Sequence, residues 1–186
     1  MDLQVGLKKL LKKGALASEL DFQRASVIDR RMRLLVKEFP ELTEERKQLR
    51  TLLKAYEDKH WVEQEITDKK VEESELAAHF AELERVFVEK RKNIIKSKLK
   101  EKGLTQKDLG TILGHTSTTY MSELMSGINP FTLNDLIVIH HLLNIDLESL
   151  IPTILTRRVR NRVLETIIKL NNPNLKLLEP GDLVFA

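Results

Sequence analysis

The chain of 186 residues has no cysteine, which excludes a disulfide framework and any metal site built on thiolates. Aromatic residues make up only 5% of it, and it has just 7 glycines and 5 prolines. No stretch reaches the roughly 18 uncharged apolar residues that a membrane-spanning helix needs. The lysines near the start follow apolar residues instead of preceding them, which is the wrong order for a secretory signal. These absences predict a cytoplasmic, mainly helical protein outside the membrane.

Catalytic motifs are also missing. The sequence has no Gly-rich phosphate loop, no H-E-x-x-H pair and no serine in a nucleophile elbow. We therefore expect no enzymatic activity, no cofactor and no metal site. His60 lies beside Glu57 and Asp58, but a single histidine without a second nitrogen or sulfur ligand is more typical of a helix end than of a metal site.

What the chain does contain is apolar residues at helical spacing, within a composition that is 41% hydrophobic and 32% charged. In the N-terminal part this spacing predicts an amphipathic helix over 3–11, ended by Gly14, and a second helix over 20–39, preceded by the cap Ser18. A third helix is predicted to start at the cap Thr43 and to form a hairpin with the second. The polar stretch 62–73 predicts a linker. Ser74 then caps a long helix that reaches Lys102 and either forms a dimer stalk or folds back on the hairpin.

The stretch 103–151 has the clearest pattern of short helices. Thr105 is the predicted cap of one helix, Gly114 ends it, and a second helix starts near Ser117 with Met121 and Leu124 on its buried side. Ser, Thr and Tyr residues occupy its other side. This stretch resembles the Cro and lambda-repressor (Xre) type of helix-turn-helix domain. The resemblance rests on Leu104, Thr105, Gln106, Leu109, Gly114, Met121, Leu124, Gly127 and Leu136.

The resemblance implies that the second helix enters a DNA major groove. It assigns DNA contacts to eight side chains: Gln106, Ser117, Thr118, Thr119, Tyr120, Ser122, Glu123 and Asn129. The helix departs from the usual pattern because it carries no Arg or Lys, although Arg bound to guanine is the commonest specific contact. Charge for the phosphates is expected from the basic runs at 89–102 and 157–162. The opposing interpretation is that such runs only keep a helix soluble.

A second resemblance involves residues 21–61, above all the run LLKAYEDKHW from Leu52 to Trp61. This order, a helical hairpin before a helix-turn-helix, is similar to one group of HigA-type antitoxins. The resemblance implies an antitoxin that neutralises a RelE/HigB-like ribonuclease toxin and represses its own operon. It also implies a homodimer bound to double-stranded operator DNA. Two alternatives stay open: a stand-alone Xre-type regulator, and a protein-interaction module that no longer reads DNA.

The predicted architecture is therefore all-α in three parts. Residues 1–73 form an N-terminal helical region and linker, which binds the toxin or dimerises. Residues 74–152 contain the long connecting helix and the helix-turn-helix domain, and 153–186 a C-terminal helix and tail. A short extended hairpin is predicted around Pro180 and Gly181.

Overall fold

The computed structural model describes residues 6–172, except for the side chains of Arg157 and Arg158. Within that range the chain forms helices and turns and no strand, which confirms the all-α prediction. The extended hairpin predicted around Pro180 lies outside the described residues. The helices are α1 (Leu7–Lys13), α2 (Glu19–Leu35), α3 (Thr43–Glu57), α4 (Asp68–Glu101), α5 (Gln106–Ile112), α6 (Thr118–Ser126), α7 (Leu133–Leu143), α8 (Leu147–Leu150) and α9 (Arg157–Leu170).

Helices α1 to α3 enclose the first core and, with the turn that follows them, make up what we call the N-terminal unit, residues 6–62. Gly14 ends α1 in a left-handed conformation, and the Ser18 hydroxyl accepts a hydrogen bond from the backbone of Asp21, both as predicted. The buried residues of this core are Leu7, Leu10, Leu16, Ala25, Ile28, Met32, Leu42, Leu49, Tyr56 and Ile128. The amphipathic α1 thus buries its leucines in the chain's own core.

The long helix α4 packs along α2, which is the predicted fold-back on the hairpin. Arg24 on α2 donates to both carboxylate oxygens of Glu84 on α4, and its Nε lies 2.8 Å from Oε2. Arg31 on α2 donates to the carbonyl of Arg85 at 3.3 Å. These bonds hold α4 against the N-terminal unit over its first half.

Two sequence predictions at helix starts were wrong. The predicted linker over 62–73 is partly helical, because α4 starts at Asp68 with Thr67 as its cap, and Ser74 lies inside the helix. The first turns of α4 are mostly exposed, so they carry no apolar stripe that would have marked them as helical. Thr43 is the first residue of α3 instead of its cap, and its hydroxyl donates to the carbonyl of Pro40 at 2.6 Å.

The second half of α4 belongs to another core. It packs with α5 to α8 in what we call the C-terminal unit, residues 89–151. The buried members of this core are Ile95, Leu99, Leu109, Met121, Leu124, Met125, Phe131, Leu136, Ile139, Leu143, Ile145 and Leu150. Arg91 is only 2% exposed between the rings of Phe87 and Phe131, and it donates to the carbonyl of Leu150 at 3.2 Å. Burial lowers its pKa to about 10, which still leaves it charged at neutral pH.

The segment after α6 joins the two units. Ile128 has no exposed surface and packs in the N-terminal core, and its carbonyl accepts from the Leu7 amide at 2.8 Å. Gly127 has a φ of 66°, and a Cβ there would lie 2.6 Å from the Val88 side chain on α4. The carbonyl of Gly127 also accepts from Arg31 at 3.3 Å. The end of α6 is therefore fixed to α1, α2 and α4 at once.

The turn after α3 and the helix α9 are further helical elements of the described residues. The residues Asp58–Val62 form a π-helical turn at the end of α3, within the run that carries the antitoxin resemblance. The helix α9 begins at the cap Thr156 and ends at Asn171 in a left-handed conformation. In the part of the chain that the structure describes, no helix combines the length and apolar character needed to cross a bilayer.

Candidate nucleic-acid interface

The candidate interface is built on α5 and α6. Thr105 and Asp108 form a reciprocal capping box at the start of α5: the Asp108 amide donates to the Thr105 hydroxyl at 3.1 Å, and the Thr105 amide donates to the Asp108 carboxylate at 2.8 Å. Gly110 allows the turn after α5 to pack closely, because a Cβ there would lie 3.1 Å from the carbonyl of His115. This short connection places α6 directly against α5.

The helix α6 has a buried side and an open side, as its sequence pattern predicts. Met121, Leu124 and Met125 are at most 2% exposed and face the core. Ser117 caps the helix by accepting from the Tyr120 amide at 3.1 Å. Ser117 and Thr118 are exposed and Ser122 is half-buried, so short hydroxyl side chains form the open side.

Gln106 lies at the edge of this hydroxyl surface. Its side-chain amide donates to the Ser122 hydroxyl at 3.0 Å, which joins the start of α5 to the middle of α6. Lys107 follows it and is exposed. Of the eight predicted contact residues, Gln106, Thr118 and Ser122 thus lie on or beside the open side of α6, and the exposed Ser117 lies at the start of that helix.

Glu123 and Asn129 are placed differently from what the resemblance implied. They are 4% and 3% exposed, and the Asn129 amide donates to the Glu123 carboxylate at 2.6 Å. Asn129 also accepts from the Lys8 amide at 3.1 Å. Burial raises the pKa of Glu123, while the hydrogen bond from Asn129 opposes that rise. Because both side chains are buried and bonded to each other, they do not belong to the accessible face of α6.

The remaining two predicted contacts, Thr119 and Tyr120, face the N-terminal unit. The Thr119 hydroxyl donates to the carboxylate of Glu41 at 2.6 Å, and this bond lowers the pKa of Glu41. The ammonium of Lys8 lies 4.1 Å from the centroid of the Tyr120 ring. Burial raises the pKa of the Tyr120 hydroxyl. His115 meets the edge of the same ring and lies 3.2 Å from Asp135.

An open cleft of about 550 Å³ separates α6 from the N-terminal unit along this edge. We call it the gate cleft. Its walls are Lys8, Glu41 and Glu45 on one side and Ser117, Thr119 and Tyr120 on the other. Sequence reasoning missed the first three residues, since they precede α6 by more than 70 positions and no spacing rule connects them to it.

The basic runs predicted to bind phosphates are only partly available. In the first run Lys96 and Lys100 are exposed, whereas Arg91 is buried and Lys98 pairs with Glu101 at 2.8 Å. In the second run Arg162 is exposed and Arg160 is half-buried. Among the described residues of the two runs, the exposed cations are Lys90, Lys96, Lys100, Lys102 and Arg162.

No protein-family model, curated protein or solved structure matches this chain. Among the described residues there is also no cluster of histidine, aspartate and glutamate that could hold a metal ion.

Proposed function

We propose that the chain is a sequence-specific DNA-binding repressor of the Cro and lambda-repressor type, with α6 as its recognition helix. The observation that carries this proposal is the open hydroxyl side of α6, rigidly backed by Met121 and Leu124 and tied to α5 through Gln106 and Ser122. A helix held in this way by a preceding short helix suits insertion into a major groove. Hydroxyl groups there can donate to or accept from base edges.

The HigA resemblance extends this proposal to a biological role. We infer that the repressor is the antitoxin of a toxin-antitoxin pair and that its partner is a basic RelE/HigB-like ribonuclease. A homodimer would place two copies of α6 in successive major grooves, about 34 Å apart, on a palindromic operator. A stand-alone regulator would bind DNA in the same way without the toxin partner.

The test uses Thr118→Ala combined with Ser122→Ala, because both hydroxyls lie on the open side and neither caps a helix. Each lost contact is expected to weaken binding to the chain's own promoter by roughly five- to tenfold, from about 1 kcal/mol per hydrogen bond. Fluorescence anisotropy against promoter and random duplexes at several salt concentrations measures this.

The matched control is Thr51→Ala on α3, an exposed residue whose hydroxyl donates only within its own helix, to the carbonyl of Lys47. It should bind the promoter like the wild type. If the wild type shows no preference for its promoter over random DNA, the repressor proposal is wrong.

One observation favours a second candidate function, an interaction module that does not read DNA. Two carboxylates that are not fully buried, Glu41 and Glu45, lie beside one edge of α6, which itself has no cation. Such an edge suits a basic protein better than a phosphate backbone. Co-purification with a small basic protein encoded beside this chain, combined with absent DNA binding, would favour this alternative.

A further inference from the structure

We propose that the N-terminal unit acts as an autoinhibitory gate: the carboxylates of Glu41 and Glu45 guard one edge of α6 and hold its affinity for DNA below what the helix would otherwise achieve. This inference rests on the proposed DNA-binding function and adds its regulation. Its basis is a contact between two parts of the chain that are distant in sequence, residues 41 and 119.

Glu41 lies directly beside α6. Its carboxylate accepts from Thr119 on the recognition helix at 2.6 Å, although the side chain is otherwise exposed. A helix in the major groove, which is about 12 Å wide, lies between two phosphate backbones. A carboxylate held against the edge of that helix is therefore directed at one of the two phosphate backbones. The negative charges of the carboxylate and of these phosphates repel each other.

The gate cleft is lined by more acidic than basic side chains. Glu41, Glu45 and Glu123 all face it or border it, and Lys8 is the cation that lines it. The Lys8 ammonium is also engaged with the Tyr120 ring at 4.1 Å. Within the described residues, Oε2 of Glu45 is buried and no hydrogen-bond donor reaches it. The closed arrangement thus contains an unsatisfied carboxylate oxygen beside two other acids, which is unfavourable and makes opening easier.

The contacts between α6 and the N-terminal unit differ in how tightly they are packed. The other side of this interface is firmly packed, since Leu7 and Ile128 have no exposed surface and share a backbone hydrogen bond. The contacts of Glu41 with Thr119 and of Lys8 with Tyr120 lie at the open rim instead. Opening therefore requires the rim side chains to turn away, while α1 and the start of α3, beside the buried Leu42, stay packed.

The experiment compares the wild type with Glu41→Gln combined with Glu45→Gln, which removes two charges and keeps side-chain size. We expect the double variant to bind promoter DNA about tenfold more tightly at roughly 0.1 M salt. The gain should shrink at higher salt, since screening weakens the repulsion that the variant removes. Circular dichroism checks that the fold stays intact in this variant, in which Glu41 is exposed and Glu45 is half-buried.

The control is Glu63→Gln combined with Glu65→Gln. These residues are exposed, carry the same two charges and follow the opposite end of α3 from Glu41. The control should stay within about twofold of the wild type, which separates a local effect from a change in net charge. A gain as large in the control as in the gate variant overturns the inference.

The two proposals fail in distinguishable ways. If the wild type binds its promoter specifically and Glu41→Gln with Glu45→Gln binds no more tightly, the gate is wrong and the repressor function stands. If neither the wild type nor the gate variant prefers its promoter over random duplex, both proposals are wrong.

Discussion

At the scale of single residues, two buried polar groups, Arg91 and Glu123, help to hold the helices of the C-terminal unit in place. Arg91 anchors the second half of α4 to the carbonyl of Leu150, and Glu123 fixes Asn129 at the end of α6. Both are charged types that sequence patterns place on surfaces. Their burial shows that polar bonding as well as apolar packing shapes the C-terminal unit.

Glu123 gives a prediction that depends on pH. Burial raises its pKa above the ordinary value of 4.5, so the folded protein binds a proton that the unfolded chain has already released. The native state is therefore penalised as pH rises from about 4.5 through the raised pKa. Glu123→Gln keeps an oxygen that accepts from Asn129 and does not titrate. It should be at least as stable as the wild type at neutral pH, and the difference should vanish toward pH 4.5.

Urea denaturation of both proteins across this pH range measures the difference in free energy of unfolding. Glu123→Ala is the contrast, because it leaves the buried Asn129 amide without its acceptor and should cost about 1–3 kcal/mol at every pH. A pH-independent difference between Glu123→Gln and the wild type would show that Glu123 is already ionised without penalty in the folded state.

At the scale of elements, the turn at the end of α6 fixes the position of that helix relative to the N-terminal unit. Gly127 has a left-handed conformation that favours glycine, and it also lies in contact with α2 and α4. A glycine is typical of such a helix end, but the local sequence contains no information about the neighbours that it meets in the fold.

This combination predicts a larger effect at Gly127 than at another left-handed glycine. Gly127→Ala should cost about 3 kcal/mol, since it adds a steric clash with Val88 to the strain of the left-handed conformation. Gly14→Ala is the matched control: its φ is 68°, but nothing lies within 4 Å of the new Cβ, so the cost should be only about 1 kcal/mol. Chemical denaturation measures both. Equal costs would mean that α4 yields to the added methyl group.

At the scale of the whole molecule, α4 connects the two units. Its first half packs on α2 and its second half on α6 to α8, while Ile128 belongs to the N-terminal core although it follows α6. Neither unit can lose its core without exposing residues of the other. We therefore expect the two units to unfold together.

Arg91→Ala tests this coupling. It removes a buried side chain of the C-terminal unit and should cost about 3 kcal/mol. Trp61, the one tryptophan of the sequence, packs against the N-terminal core and reports on the other unit by fluorescence. If the units are coupled, the fluorescence midpoint should shift as far as the midpoint seen by circular dichroism. Arg91→Met, which retains much of the packing between Phe87 and Phe131, should shift both midpoints less. A fluorescence midpoint that stays unchanged in Arg91→Ala would show that the units unfold independently.

Local sequence signals determined much of the helical framework. Ser18 and Thr105 are caps as predicted, and Gly14 and Gly127 end their helices, because capping depends on a few consecutive residues. The start of α4 was missed since its first turns are solvated and lack an apolar stripe. The π-helical turn at Asp58–Val62 was missed as well, since the sequence shows no periodicity that distinguishes it from the end of an ordinary helix.

The sequence by itself determined that the chain is all-helical within the described residues and that α6 has a buried apolar side opposite short hydroxyl residues, because both follow from the period of its side chains. Only the tertiary structure decided which of those polar residues stay accessible. Glu123 and Asn129 are hydrogen-bonded to each other in the interior of the protein. Thr119 on α6 donates a hydrogen bond to Glu41, which is far away in sequence. Periodicity describes one helix at a time, whereas accessibility depends on which other elements pack against it.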